Sequence, residues 1–242
     1  MIQTIYIIIL SYFILGSIGF FFINRKKERE VARKSRTKFI TYFFIINILF
    51  FSIVINPILF QYLSILIIGF GFFEIIKLFI NSGASKKGFF TVSVLIFGAL
   101  STGFLFFGKL DKELILFTFL ILSIFDSFSQ ISGQLWGRKK IAPKISPNKT
   151  VGGIIGGAII AIISSVLLNE LYPAPLFKTV LFATGIILFA FAGDIAASFF
   201  KRKYGVKDYS NLIPGHGGFL DRFDSLIAGG AWVALSLYLL NF

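Results

Sequence analysis

Carboxylates and basic side chains are concentrated in one stretch of this sequence, residues 194–224, DIAASFFKRKYGVKDYSNLIPGHGGFLDRFD. It contains four aspartates, five basic residues and the only histidine of the chain. Asp221 and Asp224 are three residues apart at the start of an apolar run, so a helix would place them on one face. Two neighbouring carboxylates repel each other unless a cation lies between them. The spacing therefore predicts a metal site.

Asp194 and Asp126 each follow an apolar run, so we expect both to lie at helix ends near the pair Asp221 and Asp224. The alternative is that all four acids cap helices. It suits Asp221 and Asp224 in a first turn, but an acid at a helix C-terminus is unfavourable. With no cysteine and one histidine in the chain, the metal ligands would be oxygens. This favours Mg²⁺, with Mn²⁺ also possible.

Beyond Asp194 the sequence keeps helical spacing, so Asp194, Ser198 and Lys201 share one face, with Arg202 beside them. A carboxylate for a metal, a hydroxyl and fixed positive charges suit a polyphosphate. For the basic residues further along, such as Lys207, contact with lipid headgroups is the alternative.

The turn Pro-Gly-His-Gly-Gly, residues 214–218, runs directly into the last apolar run. Exposed amides before a helix, here at Gly217 and Gly218, form a ready phosphate site, with Arg222 one turn further on. His216 could donate to a phosphate or transfer a proton, and an ordinary turn residue is the alternative.

A second polar region precedes the sixth apolar run and supplies cations and hydroxyls that could also bind phosphate: Lys144, Ser146, Lys149 and Thr150. The glycines that follow, in residues 152–157, are most simply explained by close helix packing.

The elements that must position these residues are membrane helices. The chain is 56% hydrophobic and 14% charged, whereas soluble domains are ~45–50% apolar and ~25% charged. We therefore predict an all-α integral membrane protein of about eight transmembrane helices, with two cytoplasmic polar loops, 126–150 and 194–224, forming the site. The predicted spans are 2–23, 39–60, 62–80, 89–107, 114–132, 151–169, 176–193 and 225–241.

The distribution of basic residues predicts which loops face the cytoplasm. With eight spans, the outer side holds only Lys109, Lys112 and Lys178 of the 24 basic residues. Lysine and arginine accumulate on the cytoplasmic side, which also explains the net charge of +13 without a nucleic-acid partner. Both polar loops are then cytoplasmic, where nucleotides are available.

We divide the chain into an N-terminal transmembrane region, 1–113, and a C-terminal catalytic transmembrane region, 114–242. Each has about four spans. The N-terminal region includes a basic cytoplasmic loop, 25–38, which we expect to contact anionic lipid headgroups. Specific substrate binding by this loop is the alternative. The N-terminal region also includes Glu74 and Lys77, which are spaced to pair on one helix face. A functional role for Glu74 is the alternative, because an acid at that depth in a membrane is a candidate functional residue.

From Ser198 to Asp224 the sequence resembles the signature of the phosphatidate cytidylyltransferases, the CDP-diacylglycerol synthases. That signature runs Ser-x-x-Lys-Arg, four residues, Lys-Asp, a Pro-x-His-Gly-Gly turn and Asp-Arg-x-Asp, and every fixed position is present. The resemblance extends over 126–242. The family usually has Asp-Thr where this chain has Asp126-Ser127, and an acid where this chain has Gly152.

The resemblance implies transfer of CMP from CTP to phosphatidate in the bilayer, giving CDP-diacylglycerol and pyrophosphate, with Mg²⁺ and a homodimeric enzyme. It implies metal ligands at Asp194, Asp221 and Asp224, and a location in a bacterial inner membrane with the site facing the cytoplasm. Related lipid-phosphate enzymes, a CDP-archaeol synthase or a polyprenol kinase, are alternatives. A transporter is a further alternative from another class, with intramembrane charges and broken helices.

Overall fold

The computed structural model describes residues 2–25 and 29–240, which form eight α-helices and one β-hairpin. The elements are α1 (Ile2–Asn24), α2 (Arg29–Ile55), α3 (Pro57–Asn81), α4 (Lys87–Phe107), α5 (Lys112–Trp136), β1 (Lys140–Ala142), β2 (Ser146–Thr150), α6 (Val151–Leu167), α7 (Leu176–Lys203) and α8 (Leu220–Leu240). The predicted helical class is confirmed. Residues 26–28 of the predicted basic loop, and residue 241 of the eighth predicted span, lie outside the described residues.

Within the described residues, five helices are long and apolar enough to cross a membrane: α2 from Arg36 onwards, α3, α4, α5 and α7. The apolar helix α6 and the apolar part of α1 are shorter. Many large apolar side chains on these helices face outward, as expected for surfaces in contact with lipid. The protein is therefore a membrane protein, and the number of eight crossings remains a prediction.

The helices begin and end at different residues from the predicted spans, and the boundary between α2 and α3 shows why. The predicted run 39–60 contains Asn56-Pro57, and the structure ends α2 at Ile55. The Asn56 side chain accepts a hydrogen bond from the amide of Ile58, with proline in the first turn of α3. At its other end α2 begins at Arg29, so the prediction of a loop over 25–38 was wrong for residues 29–38. Arginine, lysine, glutamate and alanine are good helix formers.

The prediction that Asp126 and Asp194 lie at helix ends was also wrong. Helix α5 continues for ten residues beyond Asp126, and α7 continues for nine beyond Asp194. Much of both predicted polar loops is consequently helical. Hydropathy indicates where the apolar surface ends. A helix can continue beyond that point as long as its backbone hydrogen bonds form and its polar side chains face water or a polar cavity.

Small residues allow the helices around the polar region to pack closely. A Cβ at Gly153 would lie 2.7 Å from the carbonyl oxygen of Ser129, and one at Gly157 would lie 2.8 Å from that of Phe125. This confirms the predicted close packing of α6, which lies against α5. In the same way Gly193 of α7 lies against the main chain of Asp224, so α7 and α8 approach closely. The four helices α5, α6, α7 and α8 thereby fix the positions of the predicted acids.

Candidate active site

A cavity of about 720 Å³ lies between α2, α5, α7 and α8. One part of its wall is polar, and another part is apolar, with side chains from α2 and α5. The apolar side chains are Phe39, Ile45, Ile46, Leu49, Phe119 and Leu122. The cavity is thus amphipathic.

Seven of the residues predicted from the sequence line this cavity. They come from three helices and from the turn before α8: Asp126, Asp194, Lys201, His216, Asp221, Arg222 and Asp224. The structure therefore brings together residues that are up to 98 positions apart in the chain, from Asp126 to Asp224.

Two of the carboxylates, Asp126 and Asp224, have few protein partners, and a third, Asp194, lies near both. Asp194 lies close enough to Asp126 and to Asp224 to repel both electrostatically. Asp224 accepts a hydrogen bond from the amide of Ser225 at 2.7 Å, and Asp126 is exposed towards the cavity. Carboxylates that repel each other, with oxygens that have no hydrogen-bond donor, are typical ligands of a hard cation.

Within residues 2–25 and 29–240, no three histidine or acidic side chains are close enough together to hold a metal by themselves. The carboxylates of α5, α7 and α8 fit a hard cation in donor type. Such a cation would need further oxygens, and Mg²⁺ commonly takes them from water and from substrate phosphates.

Asp221 differs from Asp126 and Asp224 because protein donors already occupy both of its oxygens, and it is more deeply buried than Asp194. Oδ1 pairs with Nζ of Lys201 at 2.5 Å, and Oδ2 accepts from the amides of Tyr209 and Gly218, each at 2.8 Å. The Asp221 side chain is 2% exposed and that of Lys201 is 11% exposed. Lys201 also lies over the ring of Tyr209, 5.2 Å from its centroid. Asp221 thus positions the Lys201 ammonium, and its predicted role as a metal ligand remains a prediction.

Asp194 is linked to the β-hairpin and to its own helix. Lys149, on strand β2, forms an ion pair with Asp194 and lies over the ring of Phe191. The hydroxyl of Ser198 donates to the other Asp194 oxygen at 3.4 Å. Lys149 and Ser198 therefore lie beside the cavity rather than in its lining.

Two backbone hydrogen bonds to Ile213 close the Pro-Gly-His-Gly-Gly turn. The Ile213 amide donates to the Gly217 carbonyl, and the His216 amide donates to the Ile213 carbonyl. Gly215 and Gly217 adopt φ of +75° and +86°, which favour glycine. The Gly218 amide is bonded to Asp221. That amide is therefore not free for the phosphate we predicted it to bind.

His216 stacks on Tyr42 of α2, with ring centroids 6.3 Å apart. Its Nδ1 is buried without a hydrogen-bond partner among the described residues. Burial lowers the pKa of His216, and the nearby positive charges of Arg222 and Lys38 lower it further, although a backbone hydrogen bond at Pro214 opposes them. The imidazole is accordingly neutral at pH 7, with one donor and one acceptor nitrogen.

Other predicted residues lie outside the cavity lining. Arg202 donates to the carbonyls of Ile145 and Val206, joining the hairpin to the loop after α7. Thr150 caps α6 through the amide of Gly153. The remaining three, Lys144, Ser146 and Lys207, do not line the cavity, and both lysines are exposed.

Sequence reasoning missed several lining residues. Lys38 and Tyr42 come from α2, where we assigned no site residue, and Asp208 comes from the loop after α7. On α5, polar residues recur at helical spacing around Asp126: Ser123, Ser127, Gln130 and Gln134. That spacing could have been recognised in the sequence as a polar stripe on one helix face.

The predicted pairing of Glu74 with Lys77 is also absent from the described interactions. Lys77 lies over the ring of Phe73. The Glu74 carboxylate is fully buried and accepts from the Ser210 hydroxyl at 2.6 Å and from the amides of Phe219 and Leu220, each at 2.9 Å.

The family model and the relatives that this chain matches point to the same protein family. A model described as the cytidylyltransferase family matches residues 88–240. A phosphatidate cytidylyltransferase of Staphylococcus aureus is 42% identical over 132 residues, which cover 52% of this chain and 50% of the relative. Proteins of the same name from Staphylococcus epidermidis and Staphylococcus saprophyticus are 40% and 44% identical, over 130 and 115 residues. They cover 52% and 47% of this chain, and 50% and 44% of the relatives. The chain thus spans about half the length of the curated relatives it matches.

Proposed function

The chain belongs to the cytidylyltransferase family, and from this membership and the geometry of the cavity we propose that it transfers CMP from CTP to phosphatidate. The products are CDP-diacylglycerol, for phospholipid synthesis, and pyrophosphate. An oxygen of the phosphatidate phosphate attacks the α-phosphorus of CTP, and the bond from that phosphorus to the leaving pyrophosphate breaks.

One observation carries this proposal. A single cavity combines the carboxylates and cations of the motif with an apolar wall. A lipid phosphate requires both environments, since its headgroup is charged and its acyl chains are apolar. A water-soluble phosphate acceptor would have no use for the apolar side chains of α2 and α5.

The nucleophile needs little activation by the protein. A phosphate monoester has a second pKa of about 6, so phosphatidate already carries a reactive oxygen at neutral pH. The protein therefore has to orient the two substrates and neutralise charge. In this proposal Lys201, held by Asp221, and Arg222 face the phosphates, and the neutral His216 donates a hydrogen bond.

The charge of the cavity supports dependence on a divalent cation. Among the described residues that line it, five are carboxylates, from Asp126, Asp194, Asp208, Asp221 and Asp224, and three are basic. A triphosphate would be repelled by this lining without added positive charge. Asp126, Asp194 and Asp224 are the residues that would hold Mg²⁺, or Mn²⁺ in its place. When bound, the metal would neutralise charge on the phosphate oxygens.

The test is incorporation of radiolabelled CMP from CTP into lipid by the purified protein, with phosphatidate and Mg²⁺. We expect chelation of the metal to abolish incorporation, and Asp224→Asn to lower kcat by at least ~10². The matched control is Asp111→Asn at the exposed start of α5, where the side chain makes no capping bond. Near-normal turnover of Asp224→Asn would falsify the role of this carboxylate.

The same assay separates the related lipid enzymes. An archaeal ether-lipid phosphate in place of phosphatidate tests for a CDP-archaeol synthase. A polyprenol acceptor would yield a phosphorylated lipid without the labelled cytidine. Preference for either acceptor would overturn phosphatidate as the substrate.

Location and assembly complete the proposal. The relatives are bacterial proteins, and the basic residues favour a cytoplasmic cavity. We infer an inner (plasma) membrane location with the cavity facing the cytoplasm, and a homodimer. The mass of the detergent-purified protein, measured by light scattering with the detergent subtracted, tests the dimer.

A further inference from the structure

Glu74 is a buried acid in α3, outside the segment matched by the family model. Its three hydrogen-bond donors all belong to the segment that precedes and begins α8, and they lie 136 to 146 residues away in the chain. A single side chain from the N-terminal region thus holds the start of the helix that carries Asp221 and Asp224.

The bonds to Glu74 satisfy a specific need of α8. The first amides of a helix have no carbonyl partner within the helix, and they carry the positive end of the helix dipole. The Glu74 carboxylate accepts from the amides of Phe219 and Leu220. Its negative charge is stabilised there, and in return it fixes the direction in which α8 leaves the turn.

The Glu74 carboxylate lies so close to Gly218 that it leaves no room for a side chain there. A Cβ at Gly218 would collide with both oxygens of Glu74. Gly218 does not have a positive φ, so the reason for glycine at this position is space and not backbone conformation. The amide of the same residue donates to Asp221. Residues 218–220 are therefore held between two carboxylates, Glu74 of α3 and Asp221 of α8.

We propose that Glu74 is a positioning residue for the reaction: by fixing residues 218–220 it sets the position of Asp221 and, through it, of the Lys201 ammonium. This inference rests on the proposed function. The connection is continuous, from Glu74 to the amides at the start of α8, from there to Asp221, and from Asp221 to Nζ of Lys201 at 2.5 Å.

The first test is Glu74→Gln, which keeps the shape of the side chain and replaces one acceptor oxygen by a donor. We expect kcat to fall at least tenfold while the KM for CTP changes less than threefold, because a displaced Lys201 loses contact mainly with charge that develops in the transition state. The matched control is Glu113→Gln in α5, a partly exposed acid that does not line the cavity, which should keep both constants. Wild-type kcat in Glu74→Gln would overturn the proposal.

A second pair of variants applies if Glu74→Gln folds poorly. Gly218→Ala should lower kcat to a similar extent, because the new methyl group displaces the Glu74 carboxylate. Adding Glu74→Asp, which is shorter by one methylene, should recover at least threefold of the lost kcat. A double variant no more active than Gly218→Ala alone would contradict the fit between these two residues.

Amide hydrogen exchange tests the positioning role of Glu74 independently of the proposed reaction. The amides of Phe219 and Leu220 should exchange at least tenfold faster in Glu74→Gln than in the wild type or in Glu113→Gln, whether or not CMP is transferred. A wild type without CMP transfer rejects the proposed reaction. Unchanged exchange in Glu74→Gln rejects the positioning role.

Discussion

Asp221 and Asp224 are three residues apart, yet their surroundings assign them different roles. Asp221 is buried, paired with Lys201 and bonded to two amides. Asp224 faces the cavity and keeps vacant acceptor sites. In a site surrounded by apolar helices, an ammonium held by Asp221 is a stronger electrostatic group than the same ammonium in water.

This difference predicts that Asp221→Asn loses stability as well as activity. Removing one partner of a buried ion pair leaves the other charge uncompensated, at a cost of about 3–5 kcal/mol in the free energy of unfolding. We expect a clearly lower thermal midpoint in detergent for Asp221→Asn than for Asp224→Asn. Combining Asp221→Asn with Lys201→Met removes the unpaired charge and should restore much of the midpoint. Equal midpoints for the two single variants would contradict the buried pair.

Sequence alone predicted the acids and cations of the motif, because their types and spacing are local properties. It could not predict that Lys38 and Tyr42 line the cavity, since nothing in the pattern of α2 distinguishes the face towards the cavity from the face towards lipid. The partners of Glu74 could not be predicted for a related reason. Its partners are more than 130 residues away, and its nearest charged neighbour along the helix suggested a local pair instead.

At the scale of elements, the contact between α5 and α6 determines where Asp126 lies. Gly157 of α6 packs against the main chain of α5 at Phe125 and Ser129. A Cβ at Gly157 would also meet the Ser129 hydroxyl, which could rotate away, but the two backbone atoms could not move aside. The position of Asp126, which follows Phe125 directly, therefore depends on the absence of a side chain at Gly157.

We predict that Gly157→Ala destabilises the protein and lowers CMP transfer. The added Cβ would lie 2.8 Å from the Phe125 carbonyl oxygen and from the Ser129 amide nitrogen. Such overpacking typically costs about 1–3 kcal/mol. The control is Gly98→Ala in α4, where a Cβ meets nothing within 4 Å, and both variants are compared by thermal unfolding in detergent and by turnover. Equal stability of the two would show that α5 and α6 can separate without cost.

The helices themselves were predictable from apolar runs, but their ends were not. Asp126 and Asp194 were expected at the membrane surface because the apolar runs stop there. The structure continues both helices past these acids, which places charged groups within helix interiors. Such residues are tolerated when they face a cavity or one another, and hydropathy contains no information about which helices will surround that cavity.

For the whole molecule, the cavity has one polar and one apolar end, and the two regions of the chain build it together. Along α2 its lining changes from Lys38 and Tyr42 to Leu49, whereas along α5 it changes from Phe119 to Gln134. This opposite order is expected if the two helices run antiparallel with their polar ends on the same side. A lipid with its phosphate at the polar end and its chains at the apolar end fits this gradient.

The side of the membrane on which the polar end lies can be tested directly, because the chain contains no cysteine. In intact cells, a membrane-impermeant maleimide should label Lys109→Cys and Lys178→Cys, which lie on the predicted outer side. Lys144→Cys and Lys207→Cys should react only after the cells are permeabilised. All four positions are exposed, so burial cannot explain a lack of reaction. The opposite pattern would place the hairpin and the loop after α7 outside the cell, where CTP is not available, and would overturn the proposed transfer of CMP at this site.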